Sequence, residues 1–196
     1  MNTIGIIGAG GHGKVVADTA HAAGWRTIVF FDPSWPARQS NGLWPIIGKD
    51  PEGAALFCAV GRNATRAALF ETYMLQDSPL LAHPSAILSP SAVIGAGTLV
   101  VAGVIVNAET RIGHGVILNT GCSVDHECQI ADFVHVSPGA RLAGGVRVGA
   151  RSWIGIGAVV REGVCIGQDV MVAAGAAVIT DLPDGARVGG VPAHPI

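Results

Sequence analysis

From residue 88 onward the hydrophobic positions recur with a period of six. Each of the sixteen positions taken six apart from Leu88 to Val178 holds Leu, Ile or Val. The position four further along, from Ala92 through Cys122 and Cys128 to Leu182, is nearly always small or β-branched. Glycine follows the aliphatic residue and returns two residues later, as in "IGAG", "IGHG" and "IGIG". An amphipathic helix needs a period of 3.6 and a half-buried strand a period of 2, so neither accounts for this stretch. A period of six predicts a β-helix. Each hexad makes one short strand and one corner, the aliphatic residue fills the interior, and Gly or Asn takes the tight backbone of the corner.

The first 80 residues carry a different pattern. "TIGIIGAGGHGKVVADTAHAAG" reads as strand, Gly-rich turn and helix, "RTIVFFD" and "AALFCAVG" as two further strands, and "RNATRAALFETYML" as a second helix. Strands alternating with helices predict an α/β unit with a parallel sheet. Gly8, Gly10 and Gly13 satisfy G-x-G-x-x-G, and Asp32 follows nineteen residues after Gly13, the spacing of a dinucleotide-binding turn. A dinucleotide site is built from two βαβ halves, and the hexads begin before a second half can form. One half suits one nucleotide, its phosphate facing backbone N–H groups at the helix start. The same glycines also serve a plain strand-to-helix turn. The predicted organisation is an α/β Rossmann-like half domain over residues 1–80, followed by a β-helix over 81–196.

Composition agrees with small-residue packing, since Gly is 28 of 196 residues and aromatic residues are 5%. A formal charge of -2 supplies no field for holding a nucleic-acid backbone, so nucleic acid is not expected as a partner. The apolar tracts "AVIGAGTLVVAGVIV" and "VMVAAGAAVI" fall short of the roughly 18 unbroken apolar residues of a membrane helix. The N-terminus does not read as a signal peptide. Cys58, Cys122, Cys128 and Cys165 show no CxxC spacing, which points to a reduced, cytoplasmic protein. Cys122 and Cys128 fall at the small interior position and read as buried packing residues.

Taken in order, "GAGGHGKVVAD", "FFD", "AVGRNATR", "HPSAILSPSAVIGAGTLV", "VILNTGCSVDHECQIADFVHVSPGARLAGGVRVG" and "VGGVPA" resemble, along essentially the whole chain, one family of hexapeptide-repeat acyltransferases. It is the family of sialic acid O-acetyltransferases and nucleotide-linked 4-amino-sugar N-acetyltransferases. The "NT…DHE…HVSPGA" block carries most of the resemblance. The resemblance implies a left-handed parallel β-helix with three hexads per triangular coil, a little over five coils here. It also implies an N-terminal domain that binds a nucleotide-activated sugar, acetyl-CoA held between neighbouring subunits of a homotrimer, and direct acetyl transfer without a metal, an activity of bacterial glycan biosynthesis. The 4-amino sugar is the expected acceptor. A sialic acid O-acetyltransferase and a non-catalytic nucleotide-sugar-binding protein are the alternatives, and UDP, GDP and CMP all suit the turn.

An amine or hydroxyl attacking a thioester must lose a proton as the new bond forms, which calls for a base that titrates near neutrality. His126 is the residue the resemblance points to, with Glu127 raising its basicity or steadying its tautomer and Asn119 upstream as a further catalytic residue. Asp125 is adjacent and competes for the role of Glu127. No Ser or Cys stands in a G-x-S-x-G context, so no covalent acyl-enzyme is expected. By resemblance, His135, Gly144, Ile156 and Ala174 line the acetyl-CoA path, although the family often has glycine where Ala174 stands. Gly10, Gly11, His12, Asp32, Pro33, Gly61 and Asn63 form the candidate substrate site at the carboxyl ends of strands, where open α/β sheets bind ligands. His21, His83 and His114 read as structural. β-Helix zinc enzymes pair histidines as H-x4-H, and His114, His126 and His135 lack that spacing, so zinc chemistry is not expected. In the run of Val100, Val101 and Val104 to Val106, adjacent residues point in opposite directions. The outward-facing ones are expected to be covered by further copies of the chain.

Overall fold

The computed structural model describes residues 3–53 and 55–196. The N-terminal unit runs β1 (Thr3–Ile7), α1 (Gly11–Ala22), β2 (Thr27–Phe31), β3 (Ser40–Asn41), β4 (Trp44–Gly48), β5 (Leu56–Cys58) and α2 (Asn63–Thr72). Its sheet has the order β3-β4-β2-β1-β5. β4, β2, β1 and β5 are parallel and β3 is antiparallel to β4. β1 lies between β2 and β5, so the chain leaves it in opposite directions and a crevice opens at its carboxyl end. The β3–β4 hairpin adds two strands to the three expected, and its signal is the Asn41-Gly42 pair, with Gly42 at φ 65°, a conformation that glycine adopts freely. Of the strand expected over 54–61, Ala54 lies outside the described residues and Leu56–Cys58 forms the strand.

The remainder is a parallel β-helix of two-residue strands on three faces. The first face begins at Leu81–Ala82, the second at Ile87–Leu88 and the third at Val93–Ile94. Up to Val178 the strands pair eighteen residues apart, as in Ile105↔Ser123, Arg111↔Gln129 and Ile117↔His135, and in the last coil the spacing shortens to sixteen, as in Met171↔Arg187. A one-residue slip would turn the aliphatic column outward, so the pattern and the register enforce each other. The second face stacks six strands and the third five, and the first ends in Arg187–Gly189 with an antiparallel His194–Pro195 at its edge. The fold therefore has close to six coils.

Inside, Val100, Leu118, Val136, Ile154 and Val172 form one of the buried columns. Polar residues at the small interior position are each satisfied. The buried Thr98, Thr110 and Ser152 hydroxyls donate to the carbonyls of Gly113, Asp125 and Gly167, each fifteen residues on, at 2.9, 2.6 and 2.7 Å. Cys122 and Cys128 are buried free thiols, and burial pushes them up to about 12 and about 11.

The two units share a core. Ile4, Ile6, Val16, Ala17, Ala20, Phe30 and Phe57 pack with Leu81, Leu99, Val101 and Ile117 of the first face. This corrects one expectation. Val100, Val104 and Val106 point into the β-helix, and the outward Val101 is covered by the chain's own N-terminal unit. Of that run only Ile105 stays half-buried, on the second face, where Ile87 and Val159 are exposed. No helix among the described residues is long and apolar enough to cross a membrane.

Candidate active site

His126 stands at the corner between the second and third faces, directly after the strand Ser123–Val124. Its neighbours divide the work that adjacency in sequence left open. The Glu127 carboxylate lies 3.0 Å from Nδ1 of the imidazole. The Asp125 carboxylate makes no hydrogen bond to the ring and accepts the His126 backbone N–H and the Asn107 amide, both at 2.8 Å. Those hydrogen bonds, that of Asn107 first, hold Asp125 below the usual carboxylate range. Glu127 reaches the ring from φ 59°, a left-handed conformation that is uncommon for a residue with a Cβ. The His126 and Glu127 side chains are 58% and 66% exposed, so their pair contributes little to stability and its effect is to orient the ring. With Nδ1–H donated to Glu127, Nε2 is the nitrogen free to accept a proton. Gly144, one coil above, leaves room for that edge, since a Cβ there would lie 2.5 Å from Nε2.

Asn119 is elsewhere. It follows the strand Ile117–Leu118, at the corner between the first and second faces, and its Nδ2 lies 3.1 Å from Nε2 of His135. Because Asn119 Oδ1 accepts the Thr120 N–H at 2.9 Å, the amide orientation is set. Its NH2 donates to Nε2, which is therefore unprotonated, and the His135 proton sits on Nδ1. His135 is buried with its ring 4.1 Å from that of Trp153 and 6.3 Å from that of His12. Its Nδ1 faces the Gly61 backbone without a well-formed hydrogen bond. Burial, with the charge of Arg66, lowers His135 to about 3 and His12 to about 4, so both rings are neutral at physiological pH. One chain thus separates the candidate catalytic residues into two groups on different corners, His126 with Glu127 and Asn119 with His135.

Sequence reasoning missed Arg66. Its side chain is 1% exposed and has no carboxylate partner among the described residues. It donates instead to the carbonyls of Gly115 at 2.6 Å, Val60 and Gly61 at 3.1 Å and Phe133 at 2.8 Å, and to Asn63 Oδ1 at 2.8 Å. Asn63 in turn donates to the carbonyls of Arg151 and Ser152 at 2.8 and 3.1 Å. Gly115, Phe133 and Arg151 are eighteen residues apart, so the two side chains of α2 span three successive coils along one corner. Burial lowers Arg66 to about 10, which leaves it charged at neutral pH.

The Gly-rich turn is held by its surroundings. Asp32 accepts the Ala9 N–H at 2.7 Å and the Ser34 N–H at 2.9 Å. Burial pushes its carboxyl up, but hydrogen bonds from Ser34 and Ala9, with the charge of Arg38, outweigh that and leave it below the usual range. Arg38 donates to the Ala9 carbonyl at 2.6 Å and Asn41 to that of Gly10 at 3.2 Å. The glycines have separate reasons. Gly8 has φ 98°, and a Cβ on Gly13 would strike the Gly8 carbonyl, whereas Gly10, Gly11 and Gly61 face open space. Pro33 is exposed beside Asp32. A cavity of about 490 Å3 adjoins this crevice between Gly61 and Asn63 on one side and Arg151, Trp153, Met171 and Arg187 on the other. Ile156 and Ala174 are exposed, eighteen residues apart on the corner that also carries Asn119. No group of three or more metal-ligating side chains comes together among the described residues.

Comparison with known proteins bears on both units. The family described as the PglD N-terminal domain matches residues 3–73. The whole chain superposes on the acetyltransferase domain of PglB from Neisseria gonorrhoeae FA1090, with 42% identity, 100% of both chains covered and a TM-score of 0.94. The same domain is also known in complex with acetyl coenzyme A. A histidine-to-alanine mutant of GDP-perosamine N-acetyl transferase from Caulobacter crescentus, in complex with CoA and GDP-perosamine, is 40% identical over 100% of this chain and 97% of its own, with a TM-score of 0.93. WeeI from Acinetobacter baumannii AYE is 25% identical over 99% of each chain, with a TM-score of 0.88.

Proposed function

Because the chain belongs to the family of nucleotide-linked amino-sugar N-acetyltransferases that join a PglD-type N-terminal domain to a hexapeptide β-helix, we propose that it moves an acetyl group from acetyl-CoA directly to the 4-amino group of a nucleotide-linked deoxyamino sugar, with His126 as general base. The enzyme class is an acetyl-CoA-dependent sugar N-acetyltransferase, as in the relatives crystallised with acetyl coenzyme A, CoA and GDP-perosamine. The observation that carries the role of His126 is the Glu127 carboxylate on Nδ1 at 3.0 Å, which leaves Nε2 as the acceptor. As the amine attacks the thioester carbonyl, the C–N bond forms, the C–S bond breaks, and the amine proton passes to Nε2 and from there to the departing thiolate. Gly144, Ile156 and Ala174 fit a pantetheine arm, the first because it has no Cβ to crowd the imidazole and the others because they are exposed along one corner. The nucleotide is placed over Gly10, Gly11 and His12, with Asp32, Pro33, Gly61 and Asn63 around it, in a protein taken to work in the cytoplasm.

Two half-sites on different corners call for a second copy of the chain. The second face lies between the corner of Asn119 and that of His126, and it carries the exposed apolar Ile87 and Val159. If three copies turn this face toward a common axis, the Asn119 corner of one meets the His126 corner of the next, and every subunit is equally satisfied. Asn119 has a second amide hydrogen, which would meet charge developing on the thioester oxygen. This homotrimer explains why His126 stands on an open corner in a single chain.

The test is turnover of a panel of nucleotide-linked amino sugars with acetyl-CoA, read by release of free thiol. His126→Ala should lower turnover by roughly two to four orders of magnitude while acetyl-CoA affinity stays close to normal. Turnover near that of the unmodified enzyme would remove His126 from the reaction.

A further inference from the structure

The corner that presents His126 hangs from the coil beneath it through side chains that the proposed reaction does not itself use. Asn107 lies eighteen residues before Asp125, and its Nδ2 donates to Asp125 Oδ1, the same oxygen that accepts the His126 N–H. Thr110 donates to the Asp125 carbonyl at 2.6 Å, and the Glu127 N–H donates to the Ala108 carbonyl at 2.9 Å. Thr110 is fully buried and serves the interior like Thr98 and Ser152. Asn107 is exposed, and its amide adds nothing to the core. Along this corner the positions in register are Ser89, Asn107, Asp125, Ala143 and Arg161, and the side-chain bond between two of them is the one directly beneath the base.

We propose that Asn107 is a positioning residue that fixes the Asp125 carboxylate on the His126 backbone N–H and away from the imidazole, leaving Glu127 as the sole carboxylate on Nδ1. The bond has two effects. It sets the direction in which the His126 backbone leaves the corner, and it keeps a second anion from pairing with the ring, where it would compete with Glu127 for Nδ1–H. The charged and titratable groups around this corner are Glu127 on the same turn, Glu109 and Arg111 on the coil beneath, Arg161 and Glu162 two coils above, and the interior thiol of Cys128. Asp125, beside them, is the group whose carboxylate accepts the His126 backbone N–H.

This inference rests on His126 as the base, and its test separates the two. Asn107→Asp replaces the donating NH2 by a carboxyl. While that carboxyl is protonated it still donates to Asp125, and once it ionises two carboxylates confront each other and the brace opens. The turnover of Asn107→Asp relative to the unmodified enzyme should therefore be highest near pH 5 and fall by roughly tenfold or more toward pH 8, because misplacing a catalytic group by about 1 Å costs up to the order of a hundredfold. Asn107→Ala should lose a similar factor at every pH, with the KM for acetyl-CoA unchanged. A pH-independent ratio for Asn107→Asp, or full turnover in Asn107→Ala, overturns the proposal when His126→Ala is inactive. An active His126→Ala overturns the assignment of the base instead.

Discussion

At the scale of single residues, the site depends on what is missing at position 144 as much as on what is present at 126. A methyl group on Gly144 would meet the imidazole edge proposed to accept the proton, and in a close-packed turn the ring is the part free to move. Gly144→Ala is therefore expected to leave the fold intact and to lower kcat by roughly tenfold or more through displacement of Nε2. Steady-state kinetics beside a thermal melt distinguish this from loss of structure. The "DHE" run, through its resemblance to the family, could single out His126 as the candidate base, but it could not show which of Asp125 and Glu127 meets the ring. Neighbours in sequence at a corner point in directions set by their φ angles and by the coil below, and Asn107 stands eighteen positions away. Arg66 was illegible for a related reason. Its acceptors are mostly backbone carbonyls of remote turns, and a carbonyl leaves no mark in the residue alphabet.

At the scale of elements, the β-helix was the most legible part, because an interior open to nothing larger than Val, Ile or Leu excludes polar residues at every sixth position for ninety residues. The β3–β4 hairpin was not recognised although Asn41-Gly42 marks it, since a two-residue edge strand beside a strand that contains Pro45 leaves little alternation to read. The seam between α1 and the first face has its own pH dependence. His12 and His135 titrate at about 4 and about 3 in the folded chain and near 6.5 when unfolded. Between those values the unfolded chain binds more protons, so stability falls as pH drops from about 7 toward 4, by up to roughly 1.4 kcal/mol per pH unit for each histidine. Denaturation midpoints across this range should show that slope, and His135→Gln should reduce it by one proton's worth. An unchanged slope would mean that His135 is not held neutral by the seam.

At the scale of the whole molecule, the proposed homotrimer would make activity a property of the assembly, because the candidate catalytic residues are divided between two corners. His126→Ala and Asn119→Ala, each inactive alone, should regain activity when unfolded together and refolded as mixed trimers. Random mixing leaves about one interface in four with both corners intact, so roughly a quarter of the unmodified activity is expected. No recovery from a mixture shown by mass spectrometry to contain hybrid trimers would place each site within a single subunit.

The grip of Asn63 and Arg66 on the turns at Gly115, Phe133 and Arg151 turns the β-helix into a ruler. The N-terminal unit is not simply attached to a cylinder. It is seated against three consecutive graduations, each about 4.8 Å apart, and the height at which it would deliver the proposed substrate is read off that scale. Lengthening the scale is harmless or harmful according to where the new mark is cut. An eighteen-residue coil duplicated after Ser152 should leave the seating intact and the melting temperature nearly unchanged. The same eighteen residues inserted between Gly115 and Phe133 carry Phe133 a coil away from Phe70, whose ring it meets edge-on at 5.3 Å, and leave Arg66 to find its carbonyl on the inserted turn, which should cost about 1 kcal/mol or more. Two chains identical in composition and in number of coils would then differ in stability solely through the place on the ruler where the extra length was added.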